Sequence, residues 1–98
     1  MKLYYNRGES MKTEDYDYLM TFTSHHRALY IYERLTKKNI MVKLVSAPNK
    51  LNISCTQAIK YKEIDMEIIQ KEIQKNNIYP TAVYRIKKES KIENYELV

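Results

Sequence analysis

Residues 16–35 read YDYLMTFTSHHRALYIYERL, and a change of period inside this stretch decides the fold. From Tyr16 to Thr23 apolar side chains fall at Tyr16, Tyr18, Met20 and Phe22, with Asp17, Thr21 and Thr23 between them. A two-residue period belongs to a strand with one buried face. At Ser24 the period lengthens, and Ala28, Leu29, Tyr32 and Leu35 recur at helical spacing. Ser24 has the short hydroxyl that accepts a free N–H at a helix start, so it is the expected N-cap. Lys37 and Lys38 suit the negative end of a helix dipole, and Asn39 tolerates the left-handed backbone that ends one.

Working outward, Ile40, Val42 and Leu44 alternate as a second strand that stops at the breaker cluster Ala47-Pro48-Asn49-Lys50. After an irregular stretch, Cys55 to Tyr61 reads as a third strand, with Ile59 and Tyr61 on one side and Thr56, Ala58 and Lys60 on the other. Asp65 is the next N-cap candidate, and Ile64, Ile68, Ile69 and Ile73 form a stripe running to Asn76-Asn77. Beyond Pro80, Ala82, Tyr84 and Ile86 alternate with Thr81, Val83 and Arg85 as a fourth strand. Residues 1–15, which contain the only glycine, read as a flexible N-terminal segment in which Met11 offers an alternative start. Residues 89–98 read as a frayed, charged C-terminal tail, which leaves one domain over 16–88.

The order strand, helix, strand, strand, helix, strand has one economical packing. Both helices lie on one face of a single sheet, the ferredoxin-like βαββαβ sandwich of the α+β class. Right-handed crossovers then give four antiparallel strands in the order 4-1-3-2.

Composition narrows the function classes. A chain of 98 residues, 44% hydrophobic, supports one core. No stretch approaches the length of a membrane span, and the N-terminus lacks the apolar core of a signal peptide, so a cytoplasmic protein without a membrane role is expected. The single cysteine, Cys55, cannot form an internal disulfide, which agrees with a reducing compartment. No Gly-rich loop is present to cradle a phosphate, and no cofactor is expected. The net charge of +5 sits on residues 24–62, where Arg27, Arg34, Lys37, Lys38, Lys43, Lys50, Lys60 and Lys62 face only Glu33. Such an excess attracts acidic partners or serves as a solvated face.

The expected topology brings the start of the third strand beside the end of the first. Cys55 is therefore expected near Ser24, His25 and His26, with the loop Asn77 to Pro80 arriving at the same end. An isolated thiol, with a pKa of about 8.5, is mostly protonated at neutral pH, whereas the thiolate is the nucleophile. Free N–H groups and the dipole at a helix start favour the anion, and an imidazolium favours it further. The contrary reading of Cys55 is a small apolar side chain filling space, and that of His25 and His26 is two solvated residues opening a helix. Adjacent helical residues point about 100° apart, so His25 and His26 are poorly placed to share a metal with Cys55, and no metal is expected.

The stretch Tyr18 to Glu33 with Thr23-Ser24-His25-His26-Arg27-Ala28, then Leu44-Val45-Ser46-Ala47-Pro48, then Ile53-Ser54-Cys55-Thr56-Gln57-Ala58-Ile59, resembles the small bacterial Se/S carrier protein-like family. The resemblance covers roughly residues 16–85. It implies a carrier, rather than an enzyme with its own turnover, that accepts sulfur or selenium on Cys55 as a persulfide or selenopersulfide. The implied partners are a cysteine desulfurase or selenium donor protein and an acceptor enzyme. Ser24 and His25 match the family's first helix start and Pro48 its loop proline, while Thr56 stands where the family commonly has Gly.

Two further functions fit the same strand order. An RNA-binding module needs aromatics on the open sheet face, and the phase that buries Tyr18 and Phe22 leaves Leu19, Thr21, Met41, Lys43, Ala58, Lys60, Val83 and Arg85 there; nucleic acid is therefore not the expected partner. A non-catalytic interaction domain would use Leu19, Met41, Val45, Ala58 and Val83 on that face to pair as a homodimer.

Overall fold

The computed structural model describes residues 16–51, 56–89 and 92–98. The N-terminal segment 1–15 and Cys55 lie outside the described residues. The elements are β1 (Tyr18–Phe22), α1 (His25–Lys37), β2 (Lys43–Ser46), β3 (Gln57–Tyr61), α2 (Met66–Asn76), β4 (Ala82–Glu89) and β5 (Ile92–Leu97). Short 3-10 turns occupy Asn49–Leu51 and Glu63–Asp65.

The sheet is antiparallel, with order β2-β3-β1-β4-β5. The four strands read from the sequence take the expected neighbour order, and a fifth is added at the β4 edge. That addition corrects the four-stranded expectation. Residues 92–97 are a strand paired with β4 from Tyr84↔Leu97 to Glu89↔Ile92, not a frayed tail.

The helix ends follow from their caps. Ser24 Oγ accepts the N–H of Arg27 at 3.2 Å, which satisfies one of the donors a helix start leaves free. Asn39 and Asn77 take φ of 62° and 55°, and the N–H groups of Ile40 and Ile78 reach back to the carbonyls of Leu35 and Ile73. Both are left-handed helix stops that asparagine accommodates at low cost.

Tyr18, Met20 and Phe22 of β1 and Ile59 and Tyr61 of β3 form one core with Ala28, Ile31 and Leu35 of α1 and Ile69 and Ile73 of α2, so both helices cover the same face. Burying a side chain such as Phe22 is worth about 2 kcal/mol each time. In α2 the stripe is narrower than its isoleucines suggest. Ile64 sits in the 3-10 turn ahead of the helix and is 86% exposed, Ile68 is also exposed, and the buried positions are Ile69, Glu72 and Ile73.

The phase of β4 is the reverse of the sequence reading. Met20↔Val83 and Leu19↔Tyr84 are paired, and paired residues point to the same side, so Val83 joins the helix-side core and Tyr84 the other face. Arg85 likewise lies on the helix side, 5.1 Å over the ring of Tyr18. The face expected to be open is covered from within the chain. Leu19 and Ala58 are fully buried there, packed with Tyr84 and with Leu51, Ile86 and Tyr95. Of the apolar patch expected for pairing, Met41 is exposed.

The cover is fastened by Glu93 of β5. Its carboxylate accepts from Lys60 Nζ of β3 at 3.0 Å and from Tyr95 Oη at 2.8 Å, and its carbonyl accepts from Lys50 Nζ at 2.6 Å. Burial alone would raise the Glu93 pKa, but the bonds from Lys60 and Tyr95 outweigh it and hold the acid below its usual value. Burial and the bond to Glu93 push the Tyr95 phenol up to about 12. Glu93→Gln is expected to cost about 1 kcal/mol, to speed amide exchange in residues 92–97 about fivefold and to lower the Tyr95 pKa. Unchanged exchange and an unchanged ultraviolet titration of Tyr95 would show that the hairpin is held by packing alone.

Candidate functional site

The expected meeting of the β2–β3 connection with the start of α1 can be built from its described flanks. On the near side Leu51 closes the 3-10 turn, its N–H donating to the Pro48 carbonyl at 3.2 Å, and Lys50 is tied to β5 by its bond to Glu93 and by the Tyr95 ring 5.8 Å away. On the far side Thr56 is fixed three times. Its N–H donates to the Phe22 carbonyl at 3.0 Å, its hydroxyl to the Thr23 carbonyl at 3.1 Å, and its own carbonyl accepts the N–H of Ala47 at 3.4 Å. Thr23 is the residue before the N-cap Ser24. The neighbour of Cys55 in the chain is thus bonded within one residue of the α1 start.

The opening turn of α1 is arranged for an anion rather than a cation. It carries no acidic side chain, and His25, His26 and Arg27 are all exposed there. The His25 and His26 rings meet edge to face, 6.1 Å between centroids, which sets both on the surface beside the cap. Helix starts favour negative charge by their free N–H groups and dipole, and acidic side chains, which usually occupy such positions, would oppose a second anion. Ser24 spends its side chain on the Arg27 amide. The β4 approach arrives at the same end as expected, with the Thr81 N–H donating to the Thr21 carbonyl at 2.6 Å.

The structure therefore ties Thr56 to the Phe22 and Thr23 carbonyls, just ahead of Ser24, His25 and His26 in the chain, while Cys55 itself lies outside the described residues. Sequence reasoning missed Thr56 as a tether and Lys50 as an anchor. A Thr hydroxyl next to a strand start has many acceptors within reach, so nothing local selects the Thr23 carbonyl, and Lys50 finds its partner only because β5 exists. Among the described residues no three His, Cys, Asp or Glu side chains gather as a metal group, and no helix is long and apolar enough to cross a membrane.

No curated protein and no solved structure matches the chain. A family model does, over residues 17–85, which spans β1 through the first half of β4. By that match the chain belongs to the family described as "Putative Se/S carrier protein-like".

Proposed function

We propose that the protein carries sulfur or selenium on Cys55, and that the first four strands with the two helices are a ferredoxin-like core presenting it. Family membership is the observation that carries this reading. The placement of Thr56 against the α1 start supports it, because a thiolate one residue away would lie in reach of a field that favours anions.

The step proposed is a sulfur transfer. The Cys55 thiolate attacks the outer sulfur of a donor's persulfide; a new S–S bond forms, the donor's S–S bond breaks, and the electron pair leaves on the donor's thiolate. The persulfide on Cys55 then gives up its outer sulfur to an acceptor thiolate by the same exchange, and Cys55 returns as a thiolate. Donor and acceptor supply the turnover. The donor is a cysteine desulfurase or a selenium donor protein, the acceptor is the enzyme that uses the element, and the setting is the reducing cytoplasm. The basic residues 24–62 would steer acidic partner surfaces toward the site.

Incubation with a cysteine desulfurase and free cysteine should raise the intact mass by one sulfur atom, with the gain lost on reduction. An unmodified mass beside a donor shown to be active would defeat the proposal.

A further inference from the structure

The family match ends at residue 85, so β5 lies wholly beyond it. β1 and β4 stand between β5 and β3 in the sheet, a separation of about 14 Å were the sheet flat. Lys60 of β3 nevertheless donates to Glu93 of β5 at 3.0 Å, and Tyr95 packs with Leu19 and Ala58. The β4–β5 pair is therefore bent over the face that the helices leave open.

What the bent pair meets there is the near flank of the β2–β3 connection. Lys50 Nζ donates to the Glu93 carbonyl at 2.6 Å and stands 5.8 Å from the centre of the Tyr95 ring. Leu51 packs in the same apolar cluster as Ile86 and Tyr95. Glu93 is fixed in turn by Lys60 and by the Tyr95 hydroxyl, so contacts run without a break from β3 through β5 to the connection. The far flank is held separately, by the bonds of Thr56 to the Phe22 and Thr23 carbonyls. One end of the connection thus depends on β1, and the other on the C-terminal strand.

We propose that β5 is a strap for the carrier site and that Lys50 is its positioning residue: by holding the near flank against Glu93 and Tyr95, the C-terminal strand sets how the Cys55 thiolate is presented to the α1 start. The use of that thiolate rests on the carrier reading, whereas the strap itself does not.

The full chain is alkylated with iodoacetamide over a range of pH, and the single cysteine makes the adduct mass report Cys55 alone. Glu93→Gln is decisive because field and geometry act with opposite signs. Removing a negative charge favours a thiolate nearby and would speed alkylation near neutral pH. Slackening the strap withdraws the thiolate from the helix start and slows it. Alkylation about threefold slower than in the parent is expected, through a higher midpoint of the pH profile. Lys50→Met should be slowed similarly, and Lys50→Arg, which keeps a charged donor for the Glu93 carbonyl, should return to near the parent rate. An unchanged or faster rate in Glu93→Gln, or Lys50→Arg as slow as Lys50→Met, would overturn the proposal. If Glu93→Gln fails to fold, Tyr95→Phe takes its place: it removes a bond to Glu93 without altering any charge, and an unchanged rate there would overturn the proposal equally. Sulfur uptake from a cysteine desulfurase is followed in parallel. A parent that takes up no sulfur while the alkylation order holds would end the carrier reading and keep the strap; normal uptake with equal alkylation in all variants would do the reverse.

Discussion

Cys55→Ser is expected to abolish sulfur uptake from a cysteine desulfurase while the amide-exchange pattern of β1 and β3 stays as in the parent. A serine hydroxyl is not ionised near neutral pH and forms no stable bond to a transferable sulfur, so the loss should be complete rather than partial. The surrounding residues should behave differently. Ser24→Ala removes the acceptor of the Arg27 N–H, which costs about 1 kcal/mol of stability, and it should slow transfer without ending it. Replacing both His25 and His26 by Ala should also slow transfer, because an imidazolium beside the cap would assist the thiolate. The measurement is the rate at which the sulfur adduct appears by intact mass, with donor activity checked independently. Transfer that persists in Cys55→Ser would remove the cysteine from the proposed role, and a transfer rate unchanged by the histidine replacements would leave only the helix start acting on it.

The strand and helix of residues 16–37 were legible because one element ends where the other begins, at a residue whose side chain suits only the boundary. Ser24 is the cap in the structure, and Asn39 and Asn77 stop the helices as their tolerance of positive φ predicts. β4 shows what alternation cannot do. Ala82, Val83, Tyr84 and Ile86 are apolar in both phases, so the pattern permits either face, and only the pairing of Val83 with Met20 decides. β5 was hidden for a different reason. Ile92, Tyr95 and Leu97 follow no two-residue period, and Glu93 reads as a solvated charge until Lys60 and Lys50 are beside it. The same blindness applies to the candidate site. Sequence places Ser24, His25 and His26 at the α1 start, but the bond from Thr56 to the Thr23 carbonyl joins residues 33 apart and leaves no local trace.

Glu72 is the largest case of a charge whose partner sequence could not name, and Glu72→Ala is expected to destabilise the protein by about 2–3 kcal/mol. The side chain is 4% exposed at the seam between the helices. Lys38 Nζ approaches one carboxylate oxygen at 3.2 Å, Arg34 Nε the other at 3.7 Å, and Asn76 Nδ2 donates to the latter at 3.2 Å. Among the described residues Arg34 Nε is buried without a hydrogen bond, so deleting the carboxylate removes the charge that faces it. Lys38 and Arg34 remain partly exposed, which keeps the expected cost below that of a fully buried pair. The pH dependence separates charge from packing. Burial alone would raise the Glu72 pKa, but the hydrogen bond and charge of Lys38, with Asn76 and Lys75, hold it below the usual value of 4.5. A carboxylate lowered in the folded state adds stability above the unfolded pKa, and that stability is lost as pH falls through the folded one. Glu72→Gln, which keeps the shape, should therefore lie below the parent in Tm at neutral pH and converge with it as pH drops from 4.5. A gap between the two that stays constant down to pH of about 3 would show that the helix seam is held by shape rather than by the carboxylate's charge.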